Sequence, residues 1–460
     1  MMKTISTYLF ILTLLLVGVA HADDEAVSTV TTAVPAEQAS SVADTATKPE
    51  WYSLHIQGTS ITQGHPQFSS AIPDGPESMK SHGQTATGND TTLFAGLRIG
   101  DLELYANPEM DQGFGLSDTQ GTAGFTNGEA GKVGMLDPYF RLQRLFGRYV
   151  FGLGGESREI EGDINQLSGA RDADNVTLTL GKFSVIDIFD NNSYAHDPRS
   201  DFLNWSMIDM GAFDYAADSW GYSYGGAAEW TQSWWTLRAG LFDMSRQPNE
   251  KYLVRGFGQY QTIVEAEERH QVFDNPGKVK ALLFLSSANM GSYEDAMALA
   301  NQTGMPPSTA LVRHWQTRPG GGINAEQQIL PDLGAFLRAS INDGTKETYE
   351  FTEINRSLSG GLSVKGDRWG RTDDTIGFGG ALNAISSQAR QYLAAGGQGI
   401  LIGDGQLPSY AGEHIIEAYY RAALTKGIDA TADYQRVMNP AYDAVRGPID
   451  FYAIRLHVEY

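Results

Sequence analysis

The chain has 460 residues, 52 of them glycine, with 11% aromatics, no cysteine and a formal net charge of −22 at pH 7. Without cysteine, neither disulfide staples nor thiolate metal sites can form. The acidic balance offers no basic surface for phosphate backbones, so no nucleic-acid partner is expected.

Lys3 precedes a nearly all-apolar run, 8–20, and Ala20-His21-Ala22 has the small-x-small form of a cleavage site. Residues 1–22 therefore read as a secretory signal peptide. Residues 23–50 are rich in Ala, Thr, Ser, Val and acid with almost no large apolar side chains, the composition of a flexible N-terminal segment. After Ala22 the longest compact apolar run is 281–285. A spanning helix needs roughly 18–20 such residues, so helical membrane proteins are excluded.

From residue 51 onward the side chains alternate. Leu93, Ala95, Leu97 and Ile99 share one face; Leu102, Leu104 and Ala106 share another after Gly100-Asp101. Gly-Asp is a two-residue hairpin signal. That register sets Arg98 across from Glu103 on the polar face, and opposite charges there favour the pairing. The stretches 222–230, 235–241, 279–285, 358–364, 376–382, 413–424 and 428–437 repeat the pattern, and 323–341 reads as two strands about Leu330-Pro331-Asp332. Last comes 450–460. Tyr452, Ile454, Leu456, Val458 and Tyr460 fall on one face and Phe451, Ala453, Arg455, His457 and Glu459 on the other. Its length matches the roughly 9–11 residues of a tilted membrane-spanning strand.

About seventeen stretches qualify; single-chain bacterial barrels use an even number, so at least one should fail, and 137–146 alternates least clearly. Tight turns (Gly100-Asp101, Asn275-Pro276-Gly277, Thr425-Lys426-Gly427) alternate with long loops (108–137, 187–220, 291–320, 386–412). Short turns at one end and long loops at the other is the outer-membrane layout. The expected fold is all-β: over 51–460, a transmembrane antiparallel β-barrel of about 16 strands with long extracellular and constriction loops. In hydrocarbon an unpaired backbone amide costs several kcal/mol, so the strands must close on themselves. The apolar faces must lie outside, because reversing the final strand would put Arg455, His457 and Glu459 into lipid. Tyr222, Trp230, Trp235, Tyr420 and Tyr460, near strand ends, fit interfacial girdles.

The loop 187–220 carries seven aspartates beside histidine, arginine and aromatic residues. Long loops are functional or disordered, and this one has too many aromatics for disorder. Folded into the bore, it would narrow the pore. Aromatic faces would stack on sugar rings while Asp and Arg groups bond hydroxyls; alternatively, the carboxylates would attract a hard divalent cation. Asp187, Asp190, His196, Asp197, Arg199, Asp201 and Trp205 are the pore-lining candidates here. Arg98, Glu103, Glu109 and Asp111 are the candidates on or beside the strands. No ligand spacing defines a metal site, and no catalytic pair, nucleophile elbow or phosphate loop is singled out, so neither an enzyme nor a cofactor is expected.

The blocks GKFSVIDIFDNNSYAHDPRSDFLNW (181–205), AADSWGYSYGGAAEW (216–230) and DYQRVMNPAYDAVRGPIDFYAIRLHVEY (433–460) resemble OprB-type carbohydrate-selective porins. The resemblance implies a sixteen-stranded outer-membrane barrel that passes small solutes, sugars in the best-known members, with 187–205 at the constriction. NPEMDQGFGLSD (107–118) and ILIGDGQLPSY (400–410) resemble a branch of that family that includes manganese-selective channels. The first expectation is a passive sugar-type porin, and the second the same barrel selective for a divalent cation such as manganese. A third, of another class, is a secreted all-β glycan-binding protein or glycosidase. For either channel the expected location is the Gram-negative outer membrane. The expected partners are small hydrophilic solutes, outer-membrane lipid, the barrel-assembly machinery through 450–460, and, as an alternative to a monomer, two further copies in a homotrimer.

Overall fold

The computed structural model describes residues 49–130 and 133–460. The signal peptide at 1–22 and nearly all of the segment 23–50 lie outside the described residues. Sixteen antiparallel strands close into one barrel, each paired with its sequence neighbours and the last with the first. They are β1 (Tyr52–His65), β2 (Gln84–Ile99), β3 (Leu102–Gly113), β4 (Met135–Ile160), β5 (Gly169–Phe183), β6 (Ser223–Thr231), β7 (Trp235–Asp243) and β8 (Tyr260–Val272), then β9 (Asn275–Met290), β10 (His314–Leu330), β11 (Leu333–Asn342), β12 (Arg356–Lys365), β13 (Thr375–Ala384), β14 (Glu413–Thr425), β15 (Ile428–Met438) and β16 (Ile449–Glu459). No helix among the described residues is long and apolar enough to cross a membrane.

The outward stripes fall where alternation puts them. Tyr452, Ile454 and Tyr460 are more than half exposed, whereas Arg455 and His457 are buried inside; Val458, expected on the exposed face, is covered at 3%. The Arg98–Glu103 register is also as expected, and the two side chains meet at 2.8 Å. The apolar stripes are exposed rather than packed under a second sheet, which removes the soluble sandwich. Ile454 sits midway along β16 on the lipid side. Ile454→Arg should cost the folded barrel about 2–4 kcal/mol, and Ile454→Phe almost nothing. Urea titration of protein refolded into lipid vesicles reads the difference. An arginine without effect would mean that this face does not meet hydrocarbon.

Several boundaries differ from expectation, each for a local reason. The segment 137–146 is a strand after all, the first half of β4, the longest in the barrel. Its alternation was blurred by a bulge. Pro108 pairs with Leu142 but Asn107 with Arg144, so Gln143 is the extra residue and the outward phase slips by one. The polar run after Asn107 is not a loop start but the upper part of β3, with Pro108 at the bulge, where its missing N–H does little harm. The long loop therefore covers 114–134 rather than 108–137. Likewise the loop after β9 ends at residue 313, and 314–320 belong to β10. The β8–β9 turn is Phe273-Asp274, both at positive φ (51° and 64°), rather than Asn275-Pro276-Gly277, because Asn275 pairs with Val272. Tyr222 is no girdle residue: it is 7% exposed and turned inward just before β6 begins.

The bore is not a bare polar tube. The β3–β4 loop (114–134) and the β5–β6 loop (184–222) fold into it and bring an apolar core that includes Phe125, Phe202, Trp205, Met207, Met210 and Phe213. A chain crossing the bore without sheet partners must satisfy its backbone N–H groups in another way. Strand-borne carboxylates do this. Glu413 accepts from the amides of Ala123, Gly124 and Ala441 (2.9, 2.7 and 2.9 Å), and Glu417 from Leu203 and Asn204 (2.5 and 3.1 Å). Glu265 accepts from Asp190 at 2.8 Å. Much of the inward acid thus holds the plug rather than facing solute.

Candidate functional site: a constriction in the bore

The constriction is built on a turn of the β5–β6 loop. Asp197 Oδ1 accepts the amide of Arg199 at 2.8 Å, and its carbonyl accepts the amides of Ser200 and Asp201. Asp201 closes the turn from the other end, accepting the amides of His196 (3.1 Å) and Asp197 (3.3 Å). From the wall, Arg455 donates to the carbonyls of Pro198 (2.6 Å) and Asp201 (2.9 Å). The turn is thereby pinned to β16 and aims Arg199 at the adjoining stretch of wall, β2 and β3, with β1 between them and β16.

There the guanidinium meets Glu129 at 2.8 Å, Asp90 at 3.5 Å and Glu109 at 3.8 Å, with Asp197 at 3.7 Å behind it. Glu109 accepts from Thr92 (2.6 Å) and Gln143 (3.2 Å), and Gln143 also reaches Asp111 at 3.4 Å. The bulge that hid β4 therefore places Gln143 between two carboxylates. Burial alone would lower the Arg199 pKa, but Glu129, Asp90 and the other carboxylates hold it above its ordinary value. Burial pushes Glu129 well above the usual carboxylate range; Arg199 opposes this, and Asp90 and Glu109 add to it.

A cavity of about 160 Å³ opens onto this cluster from the long-loop end. Its rim is aromatic. Arg141 lies 3.4 Å over the Trp220 ring, and Trp220 Nε1 donates to the Tyr139 hydroxyl at 2.9 Å. Arg144 pairs with Asp187 at 2.7 Å and lies 5.0 Å from the Tyr222 ring centre. At the short-turn end a wider vestibule of about 670 Å³ is lined by Tyr194, Trp234, His270, Lys278 and Glu326.

Of the sequence-derived candidates, the fold brings Asp197, Arg199, Glu109 and Asp111 together at the constriction, with Trp205 deeper in the same cavity and Asp187 at its rim through Arg144. Asp201 shapes the turn. His196 is adjacent; burial and Arg338 lower its pKa. Asp190 is wholly buried against Arg338 and Asn324, inside the plug. Arg98 and Glu103 lie at the opposite end of the barrel, where Glu103 also meets Arg171 at 2.8 Å and Arg98 donates to the carbonyls of Glu50 and Ser168. Asp90, Glu129 and Gln143 were not anticipated. Asp90 shares an inward face with Thr92, and extending the β2 alternation upward would have found it. Glu129 sits in a glycine-rich loop with no periodic signal. Among the described residues no three His, Asp or Glu side chains converge as a metal shell.

The model of the carbohydrate-selective porin, OprB family, matches residues 77–460. The chain belongs to that family. It is an outer-membrane β-barrel porin, a passive channel. No curated protein matches it in sequence. In fold it is similar to the high-pH structure of Pseudomonas putida OprB (TM-score 0.67, 15% identity, 89% of this chain and 94% of that one). The low-pH structure of the same protein aligns with TM-score 0.48 at 12% identity (89% and 92% covered), and the outer membrane channel DcaP of Acinetobacter baumannii with 0.47 at 9% (89% and 97%).

Proposed function

We propose that this porin passes small uncharged carbohydrates through a constriction held by the β5–β6 loop, without chemical change to the solute. The observation that carries this is the Arg199 cluster beside an aromatic rim. Planar guanidinium and carboxylate groups bond hydroxyls, and ring faces take the apolar side of a sugar. Membership of a carbohydrate-selective family supports the same solute class. The barrel is exported by the leader at 1–22 and offered to the assembly machinery through its last strand, with outer-membrane lipid around it.

Proteoliposome swelling tests this. Glucose should enter much faster than a trisaccharide of the same chemistry. Entry of glucose no faster than into protein-free vesicles would end the proposal. The second reading, a divalent-cation channel, draws on the excess of carboxylate around one guanidinium. Manganese influx that outruns glucose entry in the same vesicles would favour it. A monomer or a homotrimer is distinguished by native mass spectrometry of the same preparation.

A further inference from the structure

The β4–β5 hairpin outruns its neighbours at the short-turn end. The ladder of β4 with β3 stops at Tyr149, and that of β5 with β6 starts only at Asn175. Past those points the two strands have only each other. A two-stranded ribbon is marginally stable in water, so contacts at its tip must hold it. The arm bends at two register shifts, between Gly152 and Gly154 and between Gly154 and Ser157. Gly154 and Gly155 take φ of 96° and 86° there, a conformation that glycine adopts without cost. The bend brings the tip, 161–168, into the bore. Leu167 is 0% exposed and joins the core that holds Tyr105 and Phe146. Arg98 of β2 donates to the carbonyls of Leu167 (3.2 Å) and Ser168 (2.8 Å), and Arg148 of β4 to that of Asn165 (2.9 Å). The Tyr105 hydroxyl accepts the Leu167 amide at 3.2 Å, and the Asn107 side chain donates to that of Asn165 at 3.0 Å. Asn107 and Glu109 are two residues apart on β3, so this latch lies about 7 Å below a carboxylate of the Arg199 cluster. The wide vestibule of the same end opens in a different sector, under the β6–β7 turn, β8, β9 and β10.

We propose that the 161–168 tip is a second barrier to permeation, a gate beneath the Arg199 constriction that swings on Gly154 and Gly155. A solute that passes Arg199 along β2–β4 next meets Asn165 and Leu167, whether it is a sugar or a cation. The latch is made of contacts that can be broken and remade. When the tip carbonyls leave, Arg98 keeps Glu103 at 2.8 Å, so no buried charge is stranded. Asn165 and Ser168 exchange their partners for water, and Leu167 is the one large apolar side chain withdrawn from the core.

The chain has no cysteine, so a single one can report on the gate. Thr179 sits beside Arg148 in the ladder, faces inward and is 2% exposed, and its hydroxyl has no partner among the described residues. Thr179→Cys therefore gives up no bond. In the refolded full-length barrel a maleimide should label it slowly. Adding Arg98→Met, which cuts two of the carbonyl bonds, should speed labelling about tenfold. In planar bilayers with KCl the same change should raise the single-channel conductance about twofold. Asn165→Gly releases Asn107 without removing a charge, and glycine takes the φ of 55° at that position freely. It should shift both readings in the same direction by less, and it carries the test if Arg98→Met loses heat-resistant migration. Fast labelling before the latch is cut, or labelling and conductance that both variants leave unchanged, would overturn the gate. A conductance rise in Arg98→Met that Asn165→Gly does not share would belong to the lost charge and would overturn it too. No KCl current from any form would overturn the channel itself, which is a separate failure.

Discussion

Replacing Arg338 with methionine should release the plug while leaving the barrel closed. Arg338 projects inward from β11, is 1% exposed, and holds two passes of the β5–β6 loop at once. It donates to the carbonyls of Met207 (2.6 Å), Ala195 (2.8 Å) and Asp190 (3.1 Å) and to the Asp190 carboxylate (3.2 Å). Methionine fills much of the volume but supplies no donor, so the Asp190 charge stays buried with only Asn324 and the Met210 amide beside it. Breaking a buried pair by removing one partner costs about 3–5 kcal/mol. The sixteen strand pairings do not involve this side chain, so the loss falls on loop docking. The expected result is heat-resistant migration in detergent gels as in wild type, a single-channel conductance several times larger, and fast proteolysis within the loop. Adding Asp190→Leu should recover part of the loss, since it removes the uncompensated buried carboxylate and leaves only neutral groups such as the Met210 amide and the Met207 and Ala195 carbonyls without their former partners. Unchanged conductance in Arg338→Met would mean that the loop is held without it.

The lipid-facing half of this architecture was legible in the amino-acid order because hydrocarbon imposes one rule on every strand. Val279, Ala281, Leu283 and Leu285 show it cleanly, with Leu283 70% exposed. The rule fails where a bulge shifts the phase. In β4 the outward residues run Leu136, Phe140, Leu142 and then Leu145, Phe151, Leu153, an even set followed by an odd one. A one-residue slip of this kind reverses which face each side chain meets. The strand therefore looked weak although it pairs with β3 over 135–149 and with β5 over 145–160.

The interior was less legible for a different reason. Residues of an inward loop have no period, so Phe202, Trp205 and Phe213 look like any loop aromatics until the fold packs them. Phe125 and Trp205, from different loops, stack at 4.8 Å, a contact that spacing along the chain does not encode. The same holds for charge. Asp190 and Asp197 are equivalent on composition, yet one is sealed against Arg338 and the other stands beside Arg199. What separates them is which strand each loop pass meets, and that is set by ladder register across the whole barrel. The local turn around Asp197 was nearer the surface of the sequence, since Asp-Pro-Arg-Ser-Asp is turn chemistry that needs no distant partner.

Arg199→Gln should turn the constriction strongly cation-selective. In wild type the guanidinium is shared by Glu129, Asp90, Glu109 and Asp197, which leaves an acid excess that one positive charge partly offsets. Glutamine keeps the reach and some hydrogen bonding but removes that charge. At roughly 4 Å and an intermediate dielectric, one charge is worth up to about 4 kcal/mol, and counter-ions screen much of it, so the potassium-to-chloride permeability ratio should rise about tenfold. The sign of the pH dependence follows from Glu129. Burial already holds this carboxyl well above the ordinary range, and Arg199 is what pulls it down. Without Arg199 its folded-state pKa rises further, so it carries less charge at low pH and gains charge as pH increases. The gain in cation preference should therefore be smaller at pH 5 than at pH 9, read as reversal potentials across a KCl gradient. Glu129→Gln in the same background should flatten that pH dependence. Reversal potentials equal to wild type at both pH values would show that permeating ions do not pass Arg199, and the constriction would have to be sought elsewhere along the bore.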